Sequence, residues 1–155
     1  MENIKIRSAT LADLAKINQV IQSAVMNWPM AHRVKRLSVP VLQYRDTDLD
    51  FYEVLVATFR DEVVGVGVWD AHPGQSLPNG QGGLFHGLYV LPLIQGQGVG
   101  EALMEAVFSD ARSRQTNGLL IKAQRVSRNF FEHHQMQALA ANDNEYPWQY
   151  WKALA

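Results

Sequence analysis

Apolar residues near the N-terminus first alternate and then recur at helical spacing. In "NIKIRSAT", Ile4 and Ile6 alternate with polar neighbours, the period-2 pattern of a half-buried strand. Leu11, Leu14, Ile17, Val20, Ile21, Ala24 and Val25 then share one helical face, opened by Thr10 with Asp13 three residues on and closed by Trp28-Pro29. Residues 34–46 predict a second, weaker helix interrupted by Pro40. "FYEVLVATF" and "VVGVGVW", turning at Asp61-Glu62, predict a hairpin because β-branched and aromatic residues dominate both runs.

"AHPGQSLPNGQGG", residues 71–83, is rich in Pro, Gly and Asn and predicts a long polar loop before the strand "LFHGLYV". Beyond it Val99, Leu103, Ala106, Val107 and Ala111 mark a helix ending near Arg114. Asn117-Gly118 breaks that helix, and "LLIKA" reads as a strand. Residues 126–135, "VSRNFFEHHQ", predict a short helix, and "EYPWQYWKAL" a last strand. Strands and helices interleave, so the expected fold class is α/β with a mixed sheet whose first half is antiparallel.

Composition narrows the function. The 155 residues fit one domain, expected to span 1–155, with 47% hydrophobic and 19% charged residues and so ample material for a core. A formal charge of -1 argues against nucleic-acid binding, which rests on clustered Lys and Arg. The one basic cluster, His32-Arg33-Val34-Lys35-Arg36, reads either as a solvated helix face or as part of a site for an acidic group. The absence of cysteine removes thiol catalysis, disulfides and Cys-based zinc sites. With no signal-like h-region and no apolar run of bilayer length, the expectation is a cytoplasmic protein that does not enter membranes.

The densest chemical signal is "LYVLPLIQGQGVGEALM", where Gly96, Gly98 and Gly100 stand between a strand and a helix. Such a turn lets the backbone approach an anion while the first helical N–H groups point at it. A Walker-type loop would need Lys and Ser or Thr at its end, where Glu101-Ala102 stands. A dinucleotide fingerprint would need GxGxxG, not GxGxG, near the start of a βαβ unit and an acid about 20 residues on, where Leu119-Leu120-Ile121 stands. Glycines that serve only a tight turn and close helix packing are the remaining structural alternative.

Gln95-Gly96-Gln97-Gly98-Val99-Gly100 resembles the (Arg/Gln)-x-x-Gly-x-(Gly/Ala) signature of the GNAT N-acetyltransferase family. "Val90-Leu91-Pro92" before it, the apolar helix after it and the element order along the chain resemble that family as well. The resemblance implies a GNAT fold, a mostly antiparallel sheet with one parallel splayed strand pair and about four helices. It implies acetyl-CoA as co-substrate, its diphosphate on the backbone of Gln95, Gly96, Gln97, Gly98, Val99, Gly100 and Glu101 and its pantetheine along Leu88, Tyr89 and Val90, with Gln124 as a further contact. A backbone N–H near Val90 would polarise the thioester carbonyl. The expected partners are acetyl-CoA and an amine acceptor, with no metal and with a homodimer left open.

Direct attack requires a neutral amine and hence a base. His86, on the strand before the loop, is the first candidate, since imidazole titrates near neutrality, and a core or surface histidine is its plain alternative. Glu53 is a weaker alternative. The family's usual acid for the departing thiolate is a Tyr, and Phe131 of "Phe130-Phe131-Glu132" stands in its place. Gln124, Ser127 and Gln135-Met136 also depart from the family pattern. Those departures keep open a non-catalytic, acyl-CoA-binding alternative. His133 and His134 lack the spacing of metal ligands. Trp28, Tyr146, Trp148, Tyr150 and Trp151 could wall an acceptor pocket or could simply close the core.

Overall fold

Strand β1 (Ile4–Ser8) lies antiparallel to β2 (Glu53–Phe59), with Ile6 opposite Ala57. Its coordinates come from a computed structural model, which describes residues 3–123, 128–134, 136–139 and 148–154. The chain continues through a 3₁₀ turn into α1 (Leu14–Met26), α2 (His32–Leu42) and α3 (Asp46–Phe51). After β2 come β3 (Glu62–Leu77), β4 (Gly80–Val90), α4 (Val99–Ser113) and β5 (Gly118–Ala123). Helix α5 (Arg128–His133), β6 (Gln137–Leu139) and β7 (Trp148–Ala153) complete it. The strands form one sheet in the order β1-β2-β3-β4-β5-β7-β6, in which β4 and β5 run parallel. The mixed sheet expected from the sequence is present.

By packing, the chain divides into Met1–Val68 with Gly87–Val107, and Trp69–His86 with Phe108–Ala155. In the first unit α1 buries Ile17, Val20, Ile21, Ala24 and Val25 against Val54, Val56, Val66, Val68 and Tyr89. Trp28, Val39, Leu42 and Leu49 pack on the edge of this cluster. In the second unit the indole of the fully buried Trp69 donates to Asp110 Oδ2 at 2.8 Å, and Leu77, Leu120 and Trp151 form a smaller apolar cluster.

Several features depart from the sequence expectation. Pro40 does not interrupt α2, which continues two residues beyond it to Leu42. Proline there removes one backbone donor near the helix end, where the following turn is already giving out. A separate helix, α3, precedes β2, and Asp48 starts it by accepting the Arg45 N–H at 2.7 Å. Residues 71–83 are no loop: β3 runs on to Leu77, and β4 begins at Gly80 after a turn at Pro78-Asn79. The glycines there serve close strand approach, since a Cβ at Gly82 would lie 2.3 Å from Gly118 O and one at Gly83 2.4 Å from Asp70 O. The turn of the β2–β3 hairpin is Arg60-Asp61, both at positive φ (50° and 64°), one residue earlier than the sequence suggests.

The start of α1 is held electrostatically. Arg7 donates twice to Asp13, at 2.8 and 3.0 Å, and the Thr10 N–H donates to Asp13 Oδ2 at 2.7 Å. The Arg7 hydrogen bond is the main cause that lowers Asp13 from 3.8 to about 2; burial opposes it, and the Thr10 amide assists. A carboxylate depressed in the fold stabilises above its unfolded pKa and loses that contribution as pH falls through the folded one. The shift corresponds to about 2 kcal/mol at most, because the Arg7 side chain is 48% exposed and solvent weakens the pair. Asp13→Asn is therefore expected to cost about 1–2 kcal/mol at neutral pH and to flatten the loss of stability between about pH 4 and pH 2. Urea midpoints across that range check it, and an unchanged pH slope would contradict the assignment.

Candidate acetyl-CoA site

The glycine-rich turn sits on a strand-to-helix junction inside the first unit. β4 ends at Val90, and the Leu91 N–H donates to Val64 O at 2.9 Å, so the chain leaves the sheet at a fixed point. A 3₁₀ turn over Pro92–Ile94 follows, and the Gln95 side chain reaches back to donate to Val90 O at 3.2 Å. Gly96 and Gly98 then take φ of +80° and +87°, the left-handed region that side chains other than glycine enter only at a cost. Among the described residues, chain neighbours aside, neither has an atom within 4 Å of where a Cβ would stand. Glycine is needed there for backbone geometry.

Helix α4 starts at Val99, and its first intrahelical bond runs from the Ala102 N–H to Gly98 O at 3.0 Å. The N–H groups of Val99, Gly100 and Glu101 precede that bond, so the helix supplies them with no acceptor. They carry the positive end of a helix of 15 residues. Gln95, Gly96, Gln97 and Gly98 are exposed beside them, and the Glu101 side chain is exposed too. Buried Val99 and Leu103 anchor the helix start on β3: a Cβ at Gly65 would lie 2.8 Å from Leu103 Cδ1 and 3.3 Å from Val99 Cγ1. The glycines of "VVGVGVW" thus let α4 sit close to the strand.

Leu88 is half-buried, whereas Tyr89 and Val90 are buried. The Tyr89 ring belongs to the core of the first unit, which leaves the backbone of this strand end as its chemically useful part. The parallel pairing of β4 with β5 covers Gly83↔Leu119 to Phe85↔Ile121, and β4 itself continues to Val90. His86, an exposed residue of the second unit's segment of β4, directly follows the last paired residue. Glu53 is half-buried at the first position of β2 in the first unit. Gln124, Ser127 and Gln135 lie outside the described residues, as does Tyr146.

Phe131 is buried in the second unit, with its ring 6.2 Å from Phe85, 5.3 Å from Phe130 and 6.3 Å from Tyr150. It is a core residue without a hydroxyl. The Tyr150 hydroxyl is engaged at 2.7 Å with Glu132 Oε1, and Trp151 is buried in the apolar cluster of the same unit. Trp28 packs on the core of the first unit. The His134 ring lies against Phe130 with centroids 4.5 Å apart and the planes tilted by 55°, and among the described residues no group of three His, Asp or Glu stands ready to hold a metal.

Sequence reasoning passed over Tyr44. It is buried in the first unit, and its hydroxyl lies 2.8 Å from where a Cβ at Gly87 would be. Burial first, then Tyr89, Tyr52 and Asp48, raises its pKa well above the ordinary 10, so it remains a neutral phenol beside β4. The available signal was a glycine inside a strand, at His86-Gly87-Leu88.

Comparison with known proteins decides what this strand-turn-helix junction belongs to. The sequence profile of the acetyltransferase (GNAT) domain matches residues 50–135, more than half of the chain. The chain belongs to the GNAT acetyltransferase family. Solved structures agree in fold. A GNAT family acetyltransferase from Brucella melitensis, in complex with acetyl-CoA, superposes with a TM-score of 0.70 at 18% identity, over 100% of this chain and 90% of that one. The PaiA N-acetyltransferase of Thermoplasma acidophilum, in complex with coenzyme A, gives 0.74 at 13% identity, over 97% and 98%. A GCN5-related N-acetyltransferase from Rhodopseudomonas palustris gives 0.75 at 18% identity, over 99% and 98%. A sequence search of curated proteins finds no match. Among the described residues of this GNAT domain, no helix is long and apolar enough to cross a membrane.

Proposed function

We propose that this GNAT domain transfers an acetyl group from acetyl-CoA to a primary amine of a small molecule or peptide, by direct attack in a ternary complex. The observation that carries this reading is the turn itself. Gly96 and Gly98 at positive φ open the space before α4, and the Val99, Gly100 and Glu101 amides stand at the helix start, before its first internal bond. That arrangement suits a diphosphate held by backbone N–H groups. Pantetheine would then follow Leu88, Tyr89 and Val90, with the thioester carbonyl at the backbone N–H near Val90.

In this reading His86 takes a proton from the acceptor as its nitrogen forms a bond to the thioester carbon. A β4 backbone N–H near Val90 steadies the oxygen of the tetrahedral intermediate. The carbon–sulfur bond then breaks, and CoA leaves as a thiolate that water protonates; a thiol pKa near ~8.5 makes that departure tolerable without a protein acid. The buried Phe131 ring, which has no proton to give, favours this unassisted step and also motivates the second reading, an acyl-CoA-binding domain without turnover. The two readings separate in one assay. Acetyl-CoA-dependent release of free thiol across a panel of primary amines supports transfer, whereas tight acetyl-CoA binding without release supports the second.

A further inference from the structure

Helix α2 has two apolar faces. Val39 and Leu42 pack inward on the core of the first unit, and Lys35 on the same side donates to Met26 O at 2.9 Å. Val34, Leu37 and Val41, at i, i+3 and i+7, lie on the outward side and are 46%, 64% and 80% exposed. A helix that only meets water carries polar residues there. Arg33 and Arg36, both exposed, flank this stripe.

Helix α3 follows after Gln43–Arg45 and has the opposite charge. Leu49 packs inward, whereas Asp46 and Asp50, at i and i+4, are exposed, and Phe51 is 50% exposed. One continuous segment of the first unit therefore presents a basic apolar helix and then an acidic apolar one.

We infer that this segment is the contact face of a homodimer, with α2 of each copy docked on α3 of the other. The two-fold symmetry of such an isologous contact makes every pairing twice: Arg33 and Arg36 with the partner's Asp46 and Asp50, and the Val34, Leu37 and Val41 stripe with the partner's Phe51. Charge complementarity selects a second copy over an anionic membrane. A basic amphipathic helix alone would suit lipid headgroups, but Asp46, Asp48 and Asp50 next to it would be repelled by them. The 11 residues of α2 span only about 16 Å, so the interface is small and the dimer dissociates on dilution through the micromolar range.

Sedimentation equilibrium at low salt tests this with two charge-reversed chains, one carrying Arg33→Glu and Arg36→Glu and the other Asp46→Lys and Asp50→Lys. All four positions are exposed, and circular dichroism verifies the fold of each variant. The unmodified chain is expected to dimerise, each variant alone to stay monomeric, and their equimolar mixture to form a heterodimer, since both contacts then pair opposite charges again. Leu37→Asp is expected to be monomeric. A monomeric unmodified chain at several hundred micromolar, a dimeric Leu37→Asp chain, a mixture that stays monomeric, or binding of the monomer to phosphatidylserine-containing vesicles would each overturn the proposal.

Discussion

Gly98→Asp is expected to weaken acetyl-CoA binding about a hundredfold, by ~3 kcal/mol, while costing the fold only about 1 kcal/mol. Gly98 has a φ of +87° and its carbonyl accepts the first hydrogen bond of α4, so its side-chain position lies at the mouth of the helix N-terminus. Aspartate tolerates positive φ better than most residues, and among the described residues, chain neighbours aside, no atom stands within 4 Å of the new Cβ. The strain is therefore modest. Its carboxylate, however, would reach for the Gly100 and Glu101 amides, the donors proposed for the diphosphate, and would add a negative charge against that ligand. Gly98→Ala supplies the backbone strain without the charge and is expected to weaken binding only several-fold. Calorimetric titration with acetyl-CoA, together with thermal unfolding of each variant, reads both quantities. An Asp variant that binds as tightly as the unmodified chain would remove the diphosphate from this turn.

The second large effect is expected at His86. Removing a general base typically costs a factor of 10² to 10⁴, and His86→Gln is expected to lower kcat at least a hundredfold with acetyl-CoA affinity unchanged. The side chain is exposed on β4, one residue beyond the last β4–β5 register pair, so glutamine substitutes there without disturbing a core. Glu53→Gln is the companion variant. Should it, rather than His86→Gln, abolish turnover, the base is the carboxylate at the start of β2.

The sequence carried the elements whose physics is local. The period of Leu14 to Val25 gives α1, and the run from Val90 to Gly100 gives the strand-turn-helix junction together with the need for glycine at positions 96 and 98. It misread features set by distant neighbours. The glycines at 82 and 83 look like loop residues, yet they sit in a strand because Gly118 O and Asp70 O come too close for any side chain. Likewise Gly87 reveals nothing about Tyr44, 43 positions earlier, whose hydroxyl fills the space a Cβ would need. Helix α2 continues past Pro40 because Val39 and Leu42 both gain a place on the core. The proposed donor site is legible for the same reason: Gln95 to Glu101 form one short contiguous stretch.

Release of free thiol is the most direct measure of acetyl-CoA turnover by an amine. Incubated with acetyl-CoA and a panel of primary amines, from small polyamines and amino sugars to peptide N-termini, the unmodified chain is expected to release thiol with at least one of them, at a rate that depends on both substrates and falls at least a hundredfold in His86→Gln. Tight binding of acetyl-CoA with no thiol released above the uncatalysed rate by any amine would contradict it.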